Sequence, residues 1–313
     1  MNINTINLVK IIEINSLVVS GGGMKGYIFL GCIKLLFELN IIKRIKYYYG
    51  TSIGGFINVF LILGWNMDEI YKFALNFSIG SIFDLDFDYF IKNYGLVPKI
   101  NYETIIKKII SYKGYDPEIT LSELYKVTSK EFNLMTFSLK INNPVVLNHI
   151  NNPDLMLWES LYMSAALPIL VPPYSYKNDL YIDGGIDDNF PIDRVKYENR
   201  SKIIGICGGP YQPIWSEIET YISNKDILYY LLEIFKISFS RPDKSNITNF
   251  IELTNSKEIT YNFKLNRNDR EQLIETGYKQ SILHIDKLIK NMYLEQIILN
   301  KKLYNKYSIY NEI

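Results

Sequence analysis

The stretch Ile45-Lys46-Tyr47-Tyr48-Tyr49-Gly50-Thr51-Ser52-Ile53-Gly54-Gly55-Phe56 decides how the chain folds. Ile45 to Tyr49 reads as a strand. A helix follows from Ile53 to about Leu63, with Gly64 past its end. Between them, Gly50-Thr51-Ser52-Ile53-Gly54 has the form G-x-S-x-G. A serine at a sharp strand-to-helix turn is held in a strained backbone conformation. The flanking glycines remove Cβ atoms that would clash with strand and helix. The hydroxyl then sits at the positive end of the helix, where developing negative charge is favoured.

The same unit occurs once before. Ser16 to Ser20 reads as a buried strand ending at Gly21-Gly22-Gly23, and Lys25 to Leu39 as a helix stopped by Asn40. Two successive strand-turn-helix units predict an α/β fold, a parallel sheet with helices on both faces. Further strands are predicted at Asn133 to Leu139, Val145 to Asn148, Leu180 to Ile182 and Lys202 to Cys207. A long helix is predicted from Asn268 to about Lys302. No repeat or linker divides the chain, so residues 1–313 read as one domain. Its core spans about 14–210, a cap-like insertion about 65–120, and a helical region about 211–313.

Composition narrows the function. The 313 residues carry 34 Lys+Arg against 33 Asp+Glu, a net charge of +1, without the basic excess that tracks nucleic-acid phosphates. With 48 % hydrophobic residues a full core can form. Two Cys exclude a disulfide framework or a four-Cys zinc site. The N-terminus lacks the basic start, apolar run and small-residue cleavage site of a secretory signal. No run of about 20 apolar residues provides a membrane span. The expectation is a cytoplasmic protein.

A nucleophilic serine needs a base, and the chain has only 2 His. His284 falls within the long C-terminal helical run and reads as a helix-surface or core-edge residue. His149 follows a strand but has no motif around it. Asp183-Gly184-Gly185 follows the strand Leu180-Tyr181-Ile182. An Asp there, with two glycines that admit another backbone, can reach a neighbouring elbow; taken alone, D-G-G reads as a turn. Gly21, Gly23 and Gly26 also satisfy the dinucleotide pattern G-x-G-x-x-G. That reading requires a carboxylate at the end of the second strand, where the serine elbow stands instead. Backbone amides of such a loop can equally hold the oxyanion of acyl transfer.

The three elements in order, Gly21-Gly22-Gly23-Met24-Lys25-Gly26, Gly50-Thr51-Ser52-Ile53-Gly54 and Asp183-Gly184-Gly185, resemble the patatin-like phospholipase family. Ser164-Ala165-Ala166-Leu167-Pro168, Val171-Pro172-Pro173 and Asn189-Phe190-Pro191 add to the resemblance, which covers roughly Asn15 to Gly208, with Gly277 a weaker match beyond it. It implies a three-layer α/β/α fold with a mainly parallel central sheet and a nucleophile elbow. It implies Ser52 as nucleophile, Asp183 as its base, and the amides of Gly22, Gly23 and Met24 as oxyanion donors, with Lys25 standing where many members carry Arg. It implies neither metal nor organic cofactor. The substrate would be a phospholipid or another acyl-ester lipid. Two alternatives stay open: an esterase or acyltransferase on smaller acyl esters, and a dormant lipid-binding homologue that needs an activating protein.

Phe73, Phe77, Ile79, Ile82, Phe83, Phe87, Tyr89, Phe90 and Tyr94 read either as a cap over an acyl site that touches membrane or as ordinary helical core. Asp84, Asp86 and Asp88 mimic a calcium loop, but Tyr89 replaces its glycine and Gly95 its terminal Glu. Lys264, Arg267, Arg270, Lys279, Lys287, Lys290, Lys301 and Lys302 read as a solvent face or an anionic-lipid contact.

Overall fold

The computed structural model describes residues 3–77, 87–209, 247, 249–255 and 262–310. Alternation along the first two strands divides the molecule into two sides. In β1 (Ser16–Val19), Leu17 and Val19 join one hydrophobic cluster and Val18 another. In β2 (Tyr47–Thr51), Tyr48 belongs with the first and Tyr49 with the second. Successive strand residues point to opposite faces, so these clusters are the two sides of one sheet.

The other strands are β3 (Glu131–Ser138), β4 (Asn143–Leu147), β5 (Tyr174–Tyr176), β6 (Asp179–Asp183), β7 (Ile203–Gly208) and β8 (Phe250–Leu253). Their order is β5-β6-β3-β2-β1-β7-β8, with β4 also paired to β3. β1 runs parallel to β2 and β7, β2 to β3, and β7 to β8. The pairs β3–β4, β3–β6 and β5–β6 are antiparallel. The fold is α/β with a mostly parallel sheet, mixed at the β3 end. β2 starts two residues later than predicted, because Ile42–Arg44 turns as a 3-10 helix. β3 starts two residues earlier, because the Glu131 amide donates to the Lys46 carbonyl and extends the ladder.

β1, β2 and β3 step across the sheet in one direction. Right-handed crossovers then place α2 (Gly26–Glu38) and α3 (Ile53–Ile62) on the same face, within the larger cluster. On the opposite face the described layer is thinner. It consists of the 3-10 turns Pro191–Arg194 and Tyr197–Lys202, with Ile192 and Val195 against Val18, Tyr49 and Ile203. Asn40 ends α2 with a φ of 55° and Gly64 follows α3 with a φ of 80°, as the sequence predicts for helix stops.

The remaining helices are α1 (Ile3–Ile11), α4 (Met67–Asn76), α5 (Phe87–Asn93), α6 (Lys99–Tyr112), α7 (Leu121–Thr128), α8 (Leu157–Ser164) and α9 (Arg267–Tyr310). Asn66 and Glu69 bond reciprocally at the start of α4, and Thr120 and Glu123 do so at the start of α7. Phe73 packs in the core on Phe60 and Trp65 at 5.3 and 5.7 Å. Ile79, Ile82, Phe83, Asp84, Asp86 and the side chain of Phe87 lie outside the described residues, as do the side chains of Lys301 and Lys302. Arg270 is buried, and its guanidinium donates to the Phe77 carbonyl at 2.6 Å, while Arg267 reaches Asn76 Oδ1 at 2.6 Å. These two arginines close the end of α4; Arg270 is buried there and so is not part of a solvent face, while Arg267 stays exposed. Among the described residues no helix is long and apolar enough to cross a membrane.

α9 lies on α2 at a close backbone approach. A Cβ on Gly277 would stand 1.9 Å from the Ile28 carbonyl oxygen, and one on Gly31 would stand 2.1 Å from that of Ile274. Both neighbours are backbone and cannot turn aside. Gly277→Ala should therefore cost about 2–3 kcal/mol, at the upper end of overpacking penalties. Urea denaturation measures this; an unchanged midpoint would contradict the close crossing.

Candidate active site

The edge of β3 brings the site together. Leu134 and Met135 pair with β2 on one side and β4 on the other. Thr136 to Ser138 pair with β6 on one side and β4 on the other. β2 and β6 therefore share one edge of β3 and meet head to head. Thr51 lies opposite Met135 and Asp183 opposite Thr136, the next residue along. Ser52 leaves the end of β2 just where Asp183 ends β6.

Ser52 holds φ 50° and ψ −121°, the strained turn expected of an elbow. Its surroundings leave no room for side chains. A Cβ on Gly54 would stand 2.2 Å from the Val19 carbonyl oxygen, and one on Gly50 would stand 2.8 Å from the Gly55 amide. The Ser52 amide donates to Ser164 Oγ at 2.8 Å, and Ser164 is fully buried at the end of α8. α3 begins at Ile53, so its positive end lies at the serine.

Asp183 is buried. Burial pushes its carboxyl up to about 7, opposed by the Gly185 amide and by a hydrogen bond from the Ser52 hydroxyl. Gly185 donates to Asp183 Oδ1 at 2.8 Å. A Cβ on Gly184 would stand 2.6 Å from the Met135 carbonyl, so this glycine admits β3's backbone as the D-G-G reading required. The Asp183 amide donates to the Ala166 carbonyl at 3.0 Å.

The glycine loop closes the third side. Gly21 lies against the elbow: its Cβ would be 3.5 Å from Ser52 Cβ. Gly23 has φ 52° and opens the turn Gly23–Lys25. Among the described residues the amides of Gly22, Gly23 and Met24 find no acceptor, while the Lys25 amide bonds to the Gly22 carbonyl. Lys25 Nζ reaches the Gly209 carbonyl at 3.4 Å, tying the loop to the end of β7. Gly26 packs on Ile53, where a Cβ would stand 2.4 Å from Cγ1.

Neither histidine comes near. The His149 ring stacks on Tyr125 at 3.8 Å, and burial lowers its pKa, against an upward pull from Glu131. Glu131 pairs with Tyr47 at the opposite end of the strands, about 15 Å from the elbow at 3.3 Å per residue. His284 is exposed on α9 with Nδ1 2.8 Å from the Gln280 carbonyl. Among the described residues no group of His, Cys, Asp and Glu is arranged to hold a metal.

Other residues of the site carried no signal of their own. Thr51 Oγ1 donates to the Asp188 carbonyl at 2.8 Å, and the Gly21 amide donates to the Asn189 carbonyl at 2.9 Å. Arg194 Nε pairs with Asp188 Oδ2 at 2.6 Å. The segment after Asp183 thus bridges the elbow and the glycine loop. Ser164 and Asn189 stood only inside family-like stretches. Tyr102 of α6 has its hydroxyl kept protonated, chiefly by burial and then by the charge of Asp183.

A model of the patatin-like phospholipase family matches residues 17–196. The chain is 26 % identical over 294 residues to an uncharacterized protein of Acanthamoeba polyphaga mimivirus, covering 89 % of this chain and 96 % of that one. It is 31 % identical over 190 residues to a probable lipid hydrolase of Invertebrate iridescent virus 6, covering 59 % of this chain and 64 % of the relative. Among solved structures, VipD from Legionella pneumophila superposes with a TM-score of 0.59 at 18 % identity, covering 88 % of this chain and 67 % of VipD. Human GIVD cytosolic phospholipase A2 gives 0.51 at 8 % identity, covering 93 % of this chain and 63 % of the other. These two likenesses are of fold.

Burying Asp183 has a thermodynamic consequence. Its folded pKa lies above the ordinary value of 3.8. Protonation therefore stabilises the fold fully below about pH 4, and that contribution is lost as pH rises through about 7. The ionised carboxylate costs on the order of 4 kcal/mol by the size of the shift. Asp183→Asn should melt several degrees above the wild type at pH 8, with the gap closing toward pH 5. Thermal denaturation across this range measures it; parallel melting curves at every pH would contradict the buried, elevated carboxyl.

Proposed function

Because the chain belongs to the patatin-like phospholipase family, we propose that it is a lipid acyl hydrolase in which Ser52 is the nucleophile and Asp183 its base. The observation that carries this reading is the β3 register that sets Ser52, in an elbow conformation, beside the buried Asp183 carboxyl, which burial pushes up to about 7. A general base works best when its pKa lies near the working pH. Asp183 has that property without a histidine.

Ser52 Oγ attacks the carbonyl carbon of an acyl ester while Asp183 takes the hydroxyl proton. The amides of Gly22, Gly23 and Met24, without acceptors among the described residues, receive the developing oxyanion, with the α3 terminus adding its field. The tetrahedral intermediate collapses to an acyl-enzyme, and Asp183 passes its proton to the departing alcohol or lysolipid. Water then attacks the acyl-enzyme with Asp183 again as base, and the fatty acid leaves. A water-poor site strengthens each of these interactions.

The substrate is a phospholipid or another acyl-ester lipid, in keeping with the family and with the viral relative named a probable lipid hydrolase. Lipid-product mass spectrometry of the wild type against Ser52→Ala tests the reading. Free fatty acid and lysolipid should form with the wild type only; products that persist with Ser52→Ala would sink it. kcat/KM should rise tenfold per pH unit below about 7 and level above it, because the base is protonated at low pH. Asp183→Asn should lower kcat by at least about 10³-fold. An active Asp183→Asn enzyme would return the search for a base to His149.

A further inference from the structure

A cleft lies at the pole of the sheet opposite Ser52. A cavity of about 490 Å³ opens where α1 ends and where β1, β2 and β7 begin. Lys10, Arg44, Lys46 and Lys202 line it, with Glu13 as the one acid among the lining residues. Four cations against one anion give this small surface a charge of +3, although the whole chain carries only +1.

The carboxylate does not neutralise the cluster. Glu13 pairs with Lys202. Among the described residues no carboxylate pairs with Lys10, Arg44 or Lys46. Arg44 is half-buried, and one arm of its guanidinium donates to the Ile12 carbonyl at 3.0 Å. That bond fixes the planar group at the cavity wall and leaves the other donors of its fork for a ligand. Burial weighs against its charge, so a partly desolvated cation is held here with no anionic partner among the described residues. An arginine fork matches phosphate oxygens in pairs, and flanking lysines add point charges. The volume suits a small molecule, since ligand pockets typically span about 300–1,000 Å³.

We infer that this cavity binds a small, soluble, phosphate-bearing anion through Arg44, Lys46 and Lys10. Its position excludes one source of phosphate. The cleft lies at the amino ends of β1 and β2, and Ser52 at the carboxyl end of β2, about 15 Å away along the strand. A bilayer that presents substrate to Ser52 meets the other pole. Its headgroups cannot fill this cleft in the same encounter.

Isothermal titration of the full chain with tripolyphosphate tests the inference, repeated on Ser52→Ala so that the outcome does not depend on the proposed chemistry. Saturable one-to-one binding is expected in both proteins, weakening as salt rises. Arg44→Gln and Lys46→Gln should each weaken it by roughly 10-fold, the loss of one charge-assisted contact. Lys46→Gln alters an exposed side chain and covers the case in which Arg44→Gln misfolds. Lys126→Gln, on the exposed side of α7, should bind like the wild type. Flotation with phosphatidylcholine vesicles containing phosphatidic acid forms the second arm, and Arg44→Gln and Lys46→Gln should leave it unchanged. Absent or non-saturable binding overturns the inference. So does binding that Lys46→Gln leaves intact, or vesicle binding lost in the two variants while tripolyphosphate fails to bind.

Discussion

One edge of β3 is hydrogen-bonded by two strands that arrive from opposite directions, and the site exists because they meet there. β2 runs parallel to β3 as far as Met135, and β6 runs antiparallel from Ser138 back to Thr136. Backbone pairing fixes both ends in register, so Ser52 and Asp183 are placed by the sheet rather than by flexible loops. A slip of one residue in either strand would turn its side chains to the other face. β3 is buried along its whole length, which makes such a slip costly.

The arrangement opposes local stability in two places. Ser52 occupies a region of backbone space that typically costs about 1–3 kcal/mol. Asp183 is held away from water with the Gly185 amide and the Ser52 hydroxyl as its partners. The surroundings offset this by over-determining the geometry. Ser164 holds the Ser52 amide, Asp188 accepts from Thr51, and Asn189 accepts from the Gly21 amide. Each bond contributes about 1 kcal/mol net. Together they tie the Ser52 turn, the segment after Asp183 and the glycine loop into one unit.

Much of this was legible in the residues. Strand-turn-helix context marked out the elbow turn at Ser52, whereas Asp183-Gly184-Gly185 read alone as a turn and entered only through the family resemblance; in the structure β6 ends at Asp183 beside the end of β2. The glycine spacing anticipated the loop that lies against the elbow. Other features depend on tertiary contacts that no local pattern carries. β6 reads as a strand, but its hairpin with β5 needs the turn at Lys177 and Asn178, both at positive φ, and its antiparallel docking on β3 is a long-range contact. Ser164 sits 112 residues from its partner and looks like any helix-end serine. α1 was hidden by alternating Asn and aliphatic residues, and its Val9 is buried with Ile12 and Ile14 beyond it. β8 is only four residues long and gains its identity from pairing with β7. Arg270 reads as surface charge, but it is buried where the carbonyl of Phe77, just past α4, accepts from it.

The proposed chemistry stands on activation of Ser52 by direct contact with Asp183. Phosphonylation by a lipid-like fluorophosphonate, mapped by tandem mass spectrometry and timed from pH 5 to 9, tests that contact without a substrate assay. A single adduct on Ser52 is expected, forming faster as pH rises through about 7 and nearly abolished in Asp183→Asn. An adduct on another residue, or an equal rate in Asp183→Asn, would contradict it.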